Sequence, residues 1–398
     1  MDYTYYKDRT MKSLSKPFTR KVLISSLLGL SIVSCMSMVH AQSYQRYTNI
    51  NYSNPAALRI VKNYQIMLGG STILFNAQFN GSFGGTPGSI TSRTTNFLPY
   101  GRIAVRLNPR VVVALDITQP LFLDFDYPSP SFIDTASIKT RLRSVDYSPR
   151  VSWAVNDQLS LGAGLNFNNV YDATFTFRVA PLGTLANRGS SWGLGWNVGA
   201  LYSPKLGTYA GLSYYSKIVQ HISGKSTWGP LVNNYNKASI PAPAVINASL
   251  TQFVSKKWLF NANVRYVFWD TLRYLNIQNS ALPGANKTIT IPEFFYNNFV
   301  YSLGTKYDIN ETWSALGYVE VNPKPQALAY RGLGFVSSTA FIFGVGGEYT
   351  IQEGLKAKFT YGHSSAVPQI NRRYATGLAL GRANLVGNSF DLAITYDA

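Results

Sequence analysis

Apolar and polar residues alternate along this chain over segments of about ten residues, and the polar side carries almost no charge. Leu159, Leu161, Ala163, Leu165 and Phe167 alternate with Ser160, Gly162, Gly164, Asn166 and Asn168. Trp192, Leu194, Trp196, Val198, Ala200 and Tyr202 repeat the pattern against Gly193, Gly195, Asn197 and Gly199. Trp258, Phe260, Ala262, Val264, Tyr266 and Phe268 do so against Asn261, Asn263 and Arg265. A period of two puts the two sets on opposite faces of a strand. A soluble sandwich shares that period, but its wet face is normally rich in charge, and here only 14% of residues are charged against roughly 25% in an average domain. An apolar band facing lipid around a polar lumen accounts for the pattern, and about ten residues is the length a tilted strand needs to cross a bilayer. The 14% aromatic content argues against disorder. A mean hydropathy of −0.03 argues against a bundle of membrane helices.

Read this way, the chain predicts fourteen strands, at 64–76, 100–108, 111–119, 142–155, 158–172, 191–203, 206–219, 243–255, 257–270, 294–308, 312–321, 339–351, 353–363 and 387–397. Their connections alternate. Tight ones are Asn108-Pro109-Arg110, Asn156-Asp157, Ser203-Pro204-Lys205, Ser255-Lys256, Asp308-Ile309-Asn310-Glu311 and Gln352-Glu353-Gly354. Long loops are expected near 77–99, 120–141, 173–190, 220–242, 271–293, 322–338 and 364–386. Short turns at one end, long loops at the other and both termini at the short end are the layout of an outer-membrane barrel, whose closure also removes the exposed edges of open strands. The fold class is therefore all-β, a 14-stranded antiparallel transmembrane β-barrel. Trp153, Trp258, Trp269 and Trp313 lie near strand ends, as interfacial girdles require, although β-propensity alone also favours aromatics there. Pro149 is an irregularity inside the fourth segment.

The N-terminus fits that destination. Lys12, Lys16, Arg20 and Lys21 precede an apolar run from Val22 to Cys35, then Val39-His40-Ala41. This predicts a secretory signal peptide over 1–41, with Met11 as an alternative start. Ile32-Val33-Ser34-Cys35 offers a competing lipoprotein-type cleavage. Cleavage after Ala41 leaves no cysteine, hence no disulfide, thiolate chemistry or Cys-based metal site. Residues 42–63 do not alternate and contain Asn54-Pro55-Ala56. They are expected to form a short plug inside the barrel of residues 64–398, since a lumen this wide needs filling unless it is an open pore.

Other functions are poorly supported. The net charge of +18 would raise nucleic acid as a partner, but the basic residues are scattered singly rather than clustered. Gly362-His363-Ser364-Ser365-Ala366 superficially looks like a nucleophile elbow, which needs a strand-to-helix turn that does not follow here. Gly224-Lys225-Ser226-Thr227 lacks the first glycine of a phosphate loop, Val219 standing in its place. No catalytic residue, metal site or cofactor is predicted. Residues 1–41 hold six of the 36 basic and two of the 18 acidic side chains, so the remainder carries +14. Cations such as Arg141, Arg143, Arg188, Lys225, Lys287, Arg372 and Arg373 are expected to meet lipopolysaccharide phosphates or draw in anionic amphiphiles.

Several segments, in order, resemble the FadL-type outer-membrane transporters of long-chain fatty acids and other hydrophobic compounds. These are Asn54-Pro55-Ala56, which looks like the family's plug signature, then 157–171, 191–204, 211–217, 241–272 and 301–325. The resemblance implies passive uptake by a monomer: capture at the extracellular loops, a pocket within the barrel, and exit through a gap in the wall where the third strand is kinked. Pro120, which cannot donate to a ladder, marks that kink or else begins a loop. The resemblance also assigns Arg178 to a ligand carboxylate, with a solvated loop arginine as the plainer reading. The family's second basic contact, expected before the tenth strand, has no counterpart. Phe294, Phe295, Tyr296 and Asn297 stand there, the aromatics as ligand contacts. The implied ligand is a long-chain fatty acid or an aromatic hydrocarbon. An adhesive or structural barrel without transport is the alternative.

Overall fold

A computed structural model describes residues 53–284 and 287–398. The signal peptide, both proposed cleavage sites and the first part of the plug lie outside the described residues. The strands are β1 (Tyr64–Phe83), β2 (Thr86–Asn108), β3 (Val111–Thr118), β4 (Phe122–Asp126), β5 (Lys139–Ala154), β6 (Leu159–Val179), β7 (Gly183–Tyr202), β8 (Thr208–Tyr215), β9 (Ile218–Trp228) and β10 (Leu231–Ala242). They continue as β11 (Val245–Phe253), β12 (Trp258–Val267), β13 (Tyr274–Gln278), β14 (Ile289–Pro292), β15 (Asn298–Asp308), β16 (Trp313–Asn322), β17 (Ala340–Gln352), β18 (Leu355–Ala366), β19 (Gln369–Tyr374) and β20 (Gly377–Asp397).

Followed partner to partner, the antiparallel ladder runs β1, β2, β3, β5, β6, β7, β8, β11, β12, β15, β16, β17, β18, β20 and back to β1, a closed ring of fourteen. β4, β9, β10 and β19 prolong ring strands beyond breaks at 119–121, 216–217, 243–244 and 367–368, and β13 and β14 form a hairpin within a loop. Both chain ends of the barrel meet at the rim of short turns, where Asn63 N–H donates to Ala398 O at 2.8 Å.

Alternation sets the faces as expected. Leu161, Leu165 and Phe167 face out, while Ser160, Asn166 and Asn168 are buried inside. Aromatic pairs band the wall: Trp258 with Tyr307 at 5.2 Å and Trp313 with Tyr349 at 4.6 Å at the turn rim, Tyr147 with Trp192 at 6.2 Å toward the other. Trp269 is a correction. It sits in a 3-10 turn just beyond β12, 1% exposed, and points into the barrel rather than joining a girdle. Pro149 faces out beside Leu115 within β5, and the β5 to β6 register is the same on either side of it.

Four of the expected long loops are strand instead. Regions 77–99, 173–190, 220–242 and 364–386 are prolonged hairpins closed by tight turns, the first at Gly84-Gly85 with φ of +58° and +87°. Their pattern escaped notice because the faces exchange polarity there. In β1, Ile73, Phe75, Ala77 and Phe79 are buried inside while Asn76 and Asn80 are exposed outside. Water surrounds the wall at this height, so the hydrophobic effect drives apolar side chains into the lumen. The connections without a strand core are 127–138 and 323–339, together with 268–297 around its hairpin.

Candidate functional site

The lumen has three parts: a plug, a charged lower half and an apolar upper half. The plug is a 3-10 turn over Pro55–Ile60, and each residue of its leading motif has a task. Asn54 Oδ1 caps the turn by accepting Ala56 N–H at 2.9 Å, and its Nδ2 donates to Ala200 O at 2.8 Å and Leu212 O at 3.4 Å. Pro55 takes the first position of the turn, where no N–H is needed. Ala56 O accepts Ser152 Oγ and Ser160 Oγ, both at 3.0 Å. Two glycines of the inner wall make room: a methyl group at Gly162 would collide with Ala56 N, and one at Gly199 with Asn54 Oδ1. Ser53 is held by Arg102 and Arg150, which share Asp116.

The lower lumen is lined by ion pairs. Arg102 forks onto Asp116 with Nε at 2.6 Å and Nη2 at 2.7 Å. Arg265 pairs with Glu320 at 2.5 Å, and Lys306 with Glu348 at 2.8 Å. Breaking such a pair from one side costs about 3–5 kcal/mol, because it strands a buried charge.

Above lies one continuous apolar cluster. It includes Phe75, Phe79, Leu121, Phe122, Leu123, Phe125, Phe175, Trp269 and Phe295. The connection 323–339 folds down onto it: Leu333 and Val336 are fully buried, and Phe335 stacks on Phe175 across the mouth at 6.2 Å. Leu333 N–H donates to Tyr374 Oη at 2.7 Å and Leu333 O accepts Tyr127 Oη at 3.1 Å.

The ends of that lid are tied by polar side chains that sequence reasoning did not single out. Gln326 Nε2 donates to Glu293 Oε2 at 2.7 Å and Glu293 O at 2.8 Å, and Ser337 Oγ donates to Gln326 Oε1 at 2.9 Å. Arg372, expected as a loop cation for lipopolysaccharide phosphates or anionic amphiphiles, is buried. It lies 3.3 Å from Glu293 and donates to Pro292 O at 2.8 Å. Burial pushes the Glu293 carboxyl up to about 7, against the pull of Arg372 and Gln326. The one available signal was that Glu293 is the only acid between Asp270 and Asp308.

The wall is interrupted on one side. β2 pairs with β3 only from Gly101 to Asn108, while β4 pairs with β5 alone. Between β3 and β4, Pro120 is buried within the wall rather than opening a surface loop, and Leu121 N–H turns to Ser144 Oγ at 3.0 Å. Across the gap the contacts are sparse. Asp126 N–H reaches Ser92 Oγ at 2.8 Å, and Asn96 Nδ2 and Gln119 Oε1 are buried with no partner.

Of the other sequence candidates, Phe295 joins the cluster against Trp269 at 5.5 Å. Phe294, at φ +40°, packs against Tyr274 at 4.9 Å and the lid's Tyr330 at 4.6 Å. Tyr296 is half-exposed, its N–H donating to Pro325 O at 2.8 Å. Arg178 stands at the end of β6 with Nε and Nη2 both 3.1 Å from Asp134 Oδ2. His363 and Ser364 lie in mid-strand, His363 Nδ1 being 2.9 Å from Asn388 Oδ1.

None of the curated proteins matches the chain in sequence. Solved structures share its fold. A FadL homologue of Pseudomonas aeruginosa is similar with a TM-score of 0.79 at 16% identity, covering 87% of this chain and 93% of the other. The toluene transporter TodX of P. putida gives 0.69 at 14%, covering 87% and 93%, and the toluene transporter TbuX of Ralstonia pickettii 0.64 at 15%, covering 86% and 92%. Residues 43–390 match the family model described as outer membrane protein transport protein (OMPP1/FadL/TodX). The chain therefore belongs to that family, and is an outer-membrane transporter of hydrophobic compounds rather than an enzyme.

Proposed function

We propose that the protein takes up long-chain fatty acids or similar hydrophobic molecules at its extracellular mouth. It holds them in the apolar upper lumen and releases them sideways into the membrane through the interruption between β2 and β4. Arg178 at the rim and Phe294, Phe295 and Tyr296 beside the lid are its ligand contacts, and the plug of residues 42–63 with its Asn54-Pro55-Ala56 clamp keeps the lower lumen closed. The observation that carries this reading is where the wall breaks. Asp116 and Thr118 below it belong to the polar lumen, and Leu121, Phe122 and Leu123 above it to the apolar cluster. An apolar solute that descends meets charges it would desolvate at high cost. Beside it, at Pro120, the ladder is open.

The protein acts as a monomer, and its outer surface meets lipopolysaccharide. Arg188 and Lys225 face each other directly across β7 and β9, both exposed, an arrangement that bridging phosphates relieve.

The test is uptake of labelled oleate and toluene by cells producing the protein, with Ser92→Cys and Asp126→Cys combined to tether β4 to β2. Oxidation should stop uptake and reduction restore it. Uptake indifferent to the tether rejects the sideways route, and no uptake by the parent rejects transport.

A further inference from the structure

The lid connection 323–339 carries one buried cation that no carboxylate among the described residues neutralises. Arg331 is 4% exposed, and among the described residues no carboxylate lies within ion-pair distance of it. Arg331 joins the network around Glu293 only through Gln326 O, and the Glu293 carboxylate is taken by Arg372 and Gln326. Burying an unmatched charge is costly, so the site is one anion short.

The geometry of the guanidinium says which edge is open. Arg331 Nη1 is engaged, donating to Gln369 O at 2.8 Å. Nη2 makes only a long contact with Gln326 O at 3.4 Å, and Nε is buried without a partner. The Nε and Nη2 edge is the one that forks onto carboxylates elsewhere in this protein: Arg102 on Asp116, and Arg141 on Asp124 at 3.0 and 3.1 Å. Arg178 already spends the same edge on Asp134.

The surroundings define the rest of the ligand. Tyr296, whose side chain is exposed, donates its N–H to Pro325 O at 2.8 Å at the start of the same connection, so the outer rim lies beside the lid. Leu333, Phe335 and Val336 follow in the same connection and reach the apolar cluster.

We propose that the Nε and Nη2 edge of Arg331 is the carboxylate site for an anionic amphiphile, whose tail takes the place of the lid's own apolar side chains in the upper lumen. The proposal rests on the transport reading and makes its selectivity a property of the lid. A charged headgroup and its uncharged counterpart then bind differently at this one residue.

Equilibrium binding of oleate and of oleyl alcohol to the full-length, detergent-purified protein at pH 8 tests it. Arg331→Met should weaken oleate about tenfold, the order expected for a lost charge-assisted hydrogen bond, and leave oleyl alcohol within about twofold. Arg331→Lys, which keeps the charge but not the fork, should fall between. Equal loss of both ligands in Arg331→Met would show a structural staple and overturn the proposal, as would oleate binding that no Arg331 variant alters. If the parent binds oleyl alcohol but discriminates against oleate, the carboxylate site is wrong and transport stands. If it binds neither, the transport reading falls first.

Discussion

The lower and upper halves of this lumen are built by the same strands with opposite chemistry. In the lower half the wall is apolar outside and polar inside, with Arg102, Asp116 and Arg150 meeting at Ser53, above the turn of the plug. In the upper half Phe75, Phe79 and Phe175 face in while Asn76 and Asn80 face out. The backbone does not distinguish the halves; what surrounds the wall does. Lipid outside leaves polar groups to the lumen, and water outside sends apolar groups there. A vertical gradient follows from one period-two pattern with its phase reversed. The break in the wall stands at the reversal.

The comparison can be broken most severely from below. Asp116→Ala leaves Arg102 and Arg150 buried together without their carboxylate, and should cost about 3–5 kcal/mol, measured by guanidinium unfolding in detergent. Phe335→Ala in the upper half should cost less than that, because a lid residue can resettle where a barrel residue cannot.

Next comes Gly199→Leu, which drives a side chain into Asn54. Overpacking of this kind costs about 1–3 kcal/mol. Here it should expel the plug while the ring of strands persists, giving larger single-channel conductance in planar bilayers. An unchanged conductance would mean that the Asn54 clamp does not hold the lower lumen shut.

The third test sharpens the upper half. Glu293 is held up to about 7 with the lid closed, and an exposed carboxyl titrates near 4.3. The closed lid therefore binds the proton more tightly. Its extra stability is complete below the ordinary carboxylate range and is lost as pH rises through about 7. Uptake of an uncharged ligand such as toluene should rise several-fold from pH 5.5 to pH 8, and Glu293→Gln should flatten that profile at its low-pH level.

Smallest is the outer surface. Lys225→Glu replaces a like-charged cross-strand pair by an opposite one, and in detergent free of lipopolysaccharide should stabilise by about 0.5 kcal/mol. Readout by thermal unfolding suffices, and a loss of stability there would argue that no repulsion exists between Arg188 and Lys225.

Much of the lower half was legible in the sequence. The short turns, from Asn108-Pro109-Arg110 to Gln352-Glu353-Gly354, fall between strands as expected, because lipid enforces a clean alternation there. The upper half was not, and the reason is physical. Asn76 to Phe83 still alternates, but with apolar residues on the face that should have been polar, so reading outward apolarity alone turned four hairpins into loops. Trp269 was misplaced for the same reason. The latch of Glu293, Gln326, Arg331 and Arg372 joins positions up to 79 apart, and such pairings leave no local periodicity.

The prolonged hairpins have one more consequence. β1 runs 20 residues, about 65 Å of contour and about 50 Å of height at the usual tilt, whereas the apolar band of such barrels is about 25 Å tall. The mouth therefore stands on a collar roughly as tall as the membrane is thick, among or beyond the first sugars of the outer leaflet. Under the uptake proposed above, a greasy molecule outside the cell is met at that height, before the hydrated saccharide mesh, where the apolar lining of the upper lumen begins.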